Sequence, residues 1–341
     1  MFSGFCAGAA DLQFRVCDVN TSDNPTGLVG QLEGVEGLEV EVGAPLSGHS
    51  TFRIGGPAEF LIRVHNRQAL AALLSATGRL GLPFELLGLG SNVLFPDEGL
   101  PGVVARLVGD FVSYRFHGTR VTAGGGLALA KLARLAAEKG FEGLEALAGF
   151  PSTVGGAVRM NAGSYGVEIK DVLVETTILE RNGRTRRLTA RELQPSYRRT
   201  ILRGSGGIVI SATFQLREGS AEKALGRIEE LNRRRWQSLP SGRPHVGSIF
   251  RNPEGDYAGR LIEACDLKGA SRGGAQISPQ HANVIVNNGR AQAQEVLELM
   301  LEARRAVQQR FGVELVPEVE LMGALRNRWQ DALDKEPQPS G

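Results

Sequence analysis

GFPSTVGGAVRMNAGSYG, residues Gly149–Gly166, holds five glycines, three serine or threonine hydroxyls, one asparagine and one cation. The stretch is too polar for a core strand, too glycine-rich for a helix and too apolar for a disordered linker. Two readings account for so much bare backbone. Glycine lacks a Cβ and tolerates positive φ, so the run lets main chain approach a ligand closely. Alternatively it is a succession of tight turns.

Working outward toward the N-terminus, FLIRV at Phe60–Val64 predicts a strand, Gln68–Thr77 a helix and Phe84–Leu87 a second strand, a compact β-α-β unit. GLGSN, Gly88–Asn92, follows directly. It is not the dinucleotide fingerprint, because apolar Val93-Leu94-Phe95 stands where a helix should open. No G-x-x-x-x-G-K-[ST] occurs either. What remains is a glycine turn offering N–H groups, with Ser91 and Asn92 as side-chain donors, suited to an anion such as a pyrophosphate. A plain hairpin turn is the competing reading.

Leu127–Lys139 predicts an amphipathic helix ended by Gly140. Beyond the quoted stretch come two strands joined by an Asn182-Gly183 turn, a strand at Ile208–Leu216, a charged helix at Glu222–Trp236 and the connector SLPSGRPH. The last third reads as strand-like SIF, helix-like Gly259–Cys265, strand-like Ala282–Val286, a long helix Ala293–Phe311 and strand-like Val313–Met322. That order predicts two mixed α/β domains before about residue 220 and a third after it. The first 36 or so residues show no sustained period and predict a flexible extension.

Composition narrows the function classes. The 341 residues are 42% hydrophobic and 22% charged, long enough for two or three packed domains. Lys+Arg 39 against Asp+Glu 37 leaves a net charge of +2, so nucleic acid is not the default partner. The densest basic run, Arg233–Trp236, closes a helix, where cations suit the helix dipole. Cys6, Cys17 and Cys265 are too few and scattered for a disulfide framework or zinc site, which fits a reduced cytosolic compartment. The five histidines, at 49, 65, 117, 245 and 281, show no ligand spacing, so no metal is expected. No apolar run approaches the roughly 20 residues that span a bilayer. The N-terminal MFSGFCAGAADLQFRV has no basic region or apolar core of a signal peptide.

Six blocks stand in register: HSTFRIGGPAEFLIRV, LGLGSNVLFPDEGLPGVV, LAGFPSTVGGAVRMNAGSYGVEI, SYRRT, GSIFRNP and VPEVELMG. In that order they resemble the UDP-N-acetylenolpyruvoylglucosamine reductases, over roughly residues 38–325. The resemblance implies an α+β chain of three domains. Two form the FAD-binding fold of vanillyl-alcohol oxidase (PCMH) type, residues 38–108 and 109–220, with the PCMH-type region at about 53–217. An α/β substrate-binding domain follows at 221–325, then a tail, 326–341, with residues 1–37 an extension. It also implies a cytoplasmic monomer in peptidoglycan synthesis, with non-covalent FAD and with NADPH as hydride donor to UDP-N-acetylglucosamine enolpyruvate, and no membrane or metal.

The residue roles follow from the same resemblance. Gly88, Gly90, Ser91, Asn92, Ser152, Thr153, Gly155, Gly156, Asn161 and Gly163 line FAD, with Met160 and Ala162 near its ring. Hydride reaches the β-carbon of an enolpyruvyl ether and an enolate develops, which needs charge stabilisation and an acid. Arg198 matches the family's Tyr-Arg motif and can grip a carboxylate bidentately. Ser248 matches the proton donor, and a serine can serve only toward a strongly basic carbanion in a dry site. Glu318 matches the third residue, assisting Arg198. Tyr197, Arg251, Asn252 and His281 are the substrate contacts. Many relatives carry a lysine before the GS motif, where this chain reads Trp236-Gln237-Ser238; Arg243 and Arg251 are the substitutes by position for meeting the UDP diphosphate. The short spacing between SYRRT and GSIFRNP matches the subtype without a tyrosine-bearing lid.

Each of the three has an ordinary alternative: Arg198 in a solvated basic stretch, Ser248 in a turn after glycine, Glu318 on a half-exposed strand. Two other functions share these features: an oxygen-using FAD oxidase of the same fold, whose covalent flavin would stay with acid-denatured protein, and a non-redox nucleotide-sugar-binding protein, colourless even after incubation with FAD.

Overall fold

The computed structural model describes residues 14–16 and 26–335. Cys6, Cys17, much of the N-terminal extension and the last six residues of the tail lie outside them. In chain order the first unit comprises strand β1 (Phe14–Val16), helix α1 (Thr26–Leu32), strands β2 (Leu38–Pro45) and β3 (Pro57–Val64), helix α2 (Arg67–Leu80), and strands β4 (Phe84–Leu86), β5 (Val93–Leu94) and β6 (Leu100–Leu107). The second holds β7 (Tyr114–His117), β8 (Arg120–Gly124), α3 (Leu129–Glu138), β9 (Phe141–Glu142), α4 (Val154–Met160), β10 (Gly163–Ser164), β11 (Val167–Glu168), β12 (Leu173–Leu179), β13 (Thr185–Thr189), α5 (Leu202–Ser205), β14 (Ile208–Gln215) and β15 (Arg217–Glu218). The remainder is α6 (Ala221–Ser238), α7 (Ala258–Ala264), β16 (Ser271–Arg272), β17 (Ala275–Ile277), β18 (Ile285–Asn287), α8 (Ala293–Phe311), β19 (Glu320–Leu321) and α9 (Ala324–Asp334).

The first sheet runs β1-β2-β3-β6-β4, with β2 and β3 antiparallel and β6 parallel to both its neighbours. Helix α2 closes the crossover. Asn66 caps it, its Oδ1 accepting from the Ala69 N–H at 2.8 Å, and Gly81 ends it in the left-handed region. Its apolar face, Leu70, Leu73 and Leu74, is buried against Phe60, Ile62 and Val103 of the sheet. The second sheet, β13-β12-β14-β8-β7, is wholly antiparallel. Its core joins α3 and α4 to the strands. A three-stranded antiparallel sheet, β16-β17-β18, packs with α7 and α8 around a third core.

Several sequence expectations change. Part of the supposed flexible extension is structured: β1 pairs with β2, and α1 buries Leu28 and Leu32 in the core of the first unit beside α2. The quoted glycine stretch contains a helix after all. α4 forms because Thr153 caps it, its Oγ1 accepting from the Gly156 N–H, and Asn161 ends it at φ 43°. Gly155 sits in its first turn because a Cβ there would lie 2.9 Å from the Gly125 carbonyl oxygen. SIF is not a strand; Phe250 makes one isolated bridge, to Pro317. Of Val313–Met322 only β19 is strand, parallel to β5. Helix α6, placed in the third domain by sequence, buries Ala224 and Ile228 in the core of the second unit. Conversely Phe52, Ile54 and Leu94 pack into the C-terminal core. The predicted tail begins as α9, with Leu325 and Trp329 buried in that core.

Candidate active site

A cleft of ≈ 1250 Å³ opens where the three cores meet. One wall is the GLGSN loop. Because β4 and β5 belong to different sheets, this loop is no hairpin. It leaves the first sheet and delivers the chain to β5, whose partner is β19. Gly90 holds φ 67°, and a Cβ there would stand 1.9 Å from the His49 carbonyl oxygen, so only glycine fits. Among the described residues no protein acceptor takes the N–H of Gly88, Leu89, Gly90, Ser91 or Asn92, and all five residues line the cleft. Successive unspent amides at a cavity wall form a seat for an anion.

The two side chains read as ligand donors here are spent on the protein. The Ser91 hydroxyl donates to the Pro151 carbonyl, and Asn92 Nδ2 donates to the Glu318 carbonyl at 3.0 Å. They tie the loop to its two neighbours across the cleft.

The STVGG loop works differently from GLGSN. Its amides are mostly used: Ser152 N to Phe150 O, Val154 N to Leu127 O and Gly155 N to Gly125 O, each at 2.8 Å, and Gly156 N to Thr153 Oγ1 at 3.2 Å. Ser152, Thr153, Gly155 and Gly156 line the cleft as a smooth floor rather than as a row of donors. Met160, Ala162 and Gly163 continue that floor.

Asn161 does not reach the cleft. It is buried at 1% exposure, donating from Nδ2 to Ser196 O and to Glu168 Oε2, each at 3.1 Å, and accepting at Oδ1 from Lys170 N at 3.0 Å. These bonds anchor the tight turn Ser196–Arg199, which is closed by reciprocal backbone bonds between its ends.

That turn presents Arg198. Its φ of 55° is uncommon for a residue with a side chain, a sign that the surroundings hold it. The guanidinium passes Gly163, where a Cβ would lie 3.3 Å from its Nη1, and donates from Nε to Glu318 Oε1 at 2.8 Å. Both side chains are largely buried, 17% and 14% exposed. Burial pushes the Glu318 carboxyl above its ordinary value, and Arg198, Arg251 and Arg203 pull against that shift. Ile249 O accepts from Glu318 N at 2.7 Å, which sets the carboxylate beside the residue that follows Ser248. Ser248 lines the same cleft, and its hydroxyl makes no hydrogen bond with another described residue. Three residues from separate stretches thus line one cleft.

The predicted substrate contacts divide. Tyr197 lies outside the cleft lining, exposed, with the Arg198 guanidinium 5.3 Å from its ring centre. Arg251 also lies outside the lining, yet its Nε is buried without a hydrogen-bond partner and acts on Glu318 through space. Asn252 caps α7, its Oδ1 accepting from Ala258 N at 3.1 Å. His281 is packed against Gly259, its Nδ1 accepting from Asn283 N at 3.2 Å. Short polar residues at these places serve the fold, which motif matching could not tell apart from ligand contact. Sequence reasoning also missed a second acidic group in the cleft. Glu320 pairs with Arg203 at 3.0 Å and Arg159 at 3.5 Å. The signal was there, since residues two apart on an extended segment share a face with Glu318.

Comparison with known proteins bears on the whole cleft. A family profile described as "UDP-N-acetylenolpyruvoylglucosamine reductase, C-terminal domain" matches residues 239–322, and one described as "FAD binding domain" matches residues 58–189. "UDP-N-acetylenolpyruvoylglucosamine reductase 2" of Symbiobacterium thermophilum is 44% identical over 285 residues, 84% of this chain and 92% of the relative. The reductase of Lachnoclostridium phytofermentans is 41% identical over 283 residues, 82% of this chain and 91% of the relative. Among solved structures, UDP-N-acetylenolpyruvylglucosamine reductase from Thermus caldophilus superposes with a TM-score of 0.72 at 38% identity, covering 84% of this chain and 99% of that one.

Proposed function

This chain belongs to the UDP-N-acetylenolpyruvoylglucosamine reductase family, and from that premise we propose how its cleft performs the reaction. The protein is a flavin-dependent oxidoreductase of peptidoglycan synthesis that reduces UDP-N-acetylglucosamine enolpyruvate. Its fold is the α+β FAD-binding architecture with a C-terminal substrate domain.

The residues present fit FAD. Five unspent amides at Gly88–Asn92 suit a diphosphate, and the bare floor from Ser152 to Gly163 leaves room for a flat ring. Held there, FAD would supply the means of moving hydride from NADPH to the enolpyruvyl β-carbon.

The protein's own groups handle the charge and the proton. Arg198 grips the substrate carboxylate, toward which electron density moves as the α-carbon becomes carbanionic. Glu318, bonded to Arg198 Nε, fixes the direction of the guanidinium and leaves its two terminal nitrogens for the substrate. Ser248, its hydroxyl uncommitted, gives its proton to the α-carbon. The observation that carries this reading is the largely buried Arg198–Glu318 pair in the same cleft as Ser248 and the unpaired amides. The same proposal makes the enzyme a cytoplasmic monomer. No helix among the described residues is long and apolar enough to cross a membrane.

The test separates the half-reactions. Ser248→Ala should leave flavin reduction by NADPH near normal and slow reoxidation by the enolpyruvyl sugar by at least about 100-fold. Equal slowing of both halves would remove Ser248 from the proton-donor role.

A further inference from the structure

A second chamber of ≈ 570 Å³ adjoins the cleft behind the GLGSN loop and shares Thr51, Leu89, Arg106, Arg243 and Pro244 with it. Its walls come from two parts of the chain, residues 48–53 and 242–244, joined by the Thr51 hydroxyl donating to His245 O at 2.8 Å. Three arginines line it: Arg53, Arg106 and Arg243. Among the described residues none of them pairs with a carboxylate. Arg243 donates to Gln276 Oε1 at 3.1 Å, and the half-buried Arg106 donates to His49 Nδ1 at 3.1 Å. His49 can only be the neutral acceptor in that bond, because a guanidinium has no lone pair to offer. A guanidinium keeps its charge at every working pH, and a partly desolvated one without a counter-ion is costly. One half-buried guanidinium, Arg106, and two exposed ones, Arg53 and Arg243, around one cavity with no acid in its lining make a seat for a multiply charged anion.

Resting on the function proposed above, we infer that this chamber binds the 2′-phosphate of NADPH. Of the phosphates the reaction brings, those of FAD and of the UDP-sugar are diphosphate linkers inside a longer molecule, with one charge per phosphorus. The 2′-phosphate is a terminal monoester carrying nearly two charges, which a side room fits and a linker does not. The row of unspent amides suits one diphosphate; Arg106 and Arg243 line both the cleft and the chamber, and Arg53 lines the chamber alone, so it is Arg53 that completes a seat for a more highly charged terminal phosphate. The chamber is therefore what makes the enzyme choose NADPH over NADH.

The experiment uses the flavin-loaded enzyme, with Arg53→Gln as the main variant because Arg53 is exposed and its side chain makes no hydrogen bond or ion pair with another described residue. Arg106→Gln and Arg106→Lys complete the set. In the wild type, 2′,5′-ADP should bind at least about tenfold tighter than 5′-AMP by calorimetry, and NADPH should reduce the flavin at far lower concentration than NADH. Arg53→Gln should raise the NADPH concentration for half-maximal reduction by about tenfold, leave NADH unchanged, and leave reoxidation by the sugar unchanged, and Arg106→Gln should raise the NADPH requirement by a similar factor. Arg106→Lys should recover part of the loss. Equal binding of 2′,5′-ADP and 5′-AMP would overturn the inference. So would a variant that weakens the sugar rather than NADPH, one that releases flavin on desalting, or variants indistinguishable from wild type. Wild-type flavin that NADPH fails to reduce, or that the sugar fails to reoxidise, would instead refute the parent function.

Discussion

Glu318 is the residue where burial and charge oppose one another most directly. Its carboxyl is raised above its ordinary value by desolvation, despite Arg198 at 2.8 Å and the fields of Arg251 and Arg203. For a carboxyl raised on folding, the native state binds more protons than the unfolded chain in the window between the two pKa values. Stability is then fully present below the unfolded value and falls as pH rises through the folded one. Glu318→Gln removes that titration. The melting temperature of the variant relative to wild type should therefore climb as pH rises above the ordinary carboxylate range. A relative decline over that rise would mean that the arginines outweigh burial. Motif matching singled out Glu318 with Arg198 and Ser248, and the structure brings Glu318 to 2.8 Å from Arg198. The motifs could not say which arginines would gather round the carboxylate, since that depends on how distant stretches pack.

Helix α4 and the turn it anchors show where the period of a sequence stops being informative. Long amphipathic elements were readable: Ala293–Phe311 forms α8 at the predicted ends, with Gln292 and Glu295 closing its N-terminus reciprocally and Gly312 its C-terminus. A seven-residue helix with two glycines in its first turn has no such signal. It exists because Thr153 caps it and because the main chain at Gly125 leaves room for nothing larger than Gly155. Likewise the strand at 313–322 shrinks to the two residues that pair with β5, with one isolated bridge from Pro317 to Phe250. At the end of α4, Asn161 has two duties, a left-handed backbone and three side-chain bonds. Asn161→Gly keeps the first and loses the second. It should lower stability by roughly 2–3 kcal/mol in chemical denaturation, at about 1 kcal/mol per bond. It should slow reoxidation more than reduction, because the Arg198 turn loosens. Asn161→Ala should cost about 1 kcal/mol more, from a Cβ at positive φ. Flavin lost from either variant while Arg198 still works would return Asn161 to cofactor contact, its role as read from sequence.

At the scale of the whole molecule, the N-terminal region is part of the first unit rather than an appendage. Leu28 and Leu32 are each 1% exposed in its core. Sequence alone hid this, since seven residues give too little period and the neighbouring Gly, Asn, Asp, Ser and Thr read as linker. Leu32→Ala should cost about 3 kcal/mol in urea unfolding while sparing both half-reactions in the protein that remains folded. An unchanged midpoint would make α1 an ornament. Farther along, the sheets and the C-terminal core meet at a ladder only two residues long. β19 pairs with β5, with Glu320 N donating to Asn92 O at 2.9 Å and Met322 N donating to Leu94 O at 3.0 Å. The ladder's consequence is one of tolerance. The Gly88–Asn92 loop leads into one strand of this ladder and Glu318 into the other, so thermal drift moves both together. Errors elsewhere in the scaffold leave the working distance intact, whereas one residue inserted after Asn92 would shift it at a stroke.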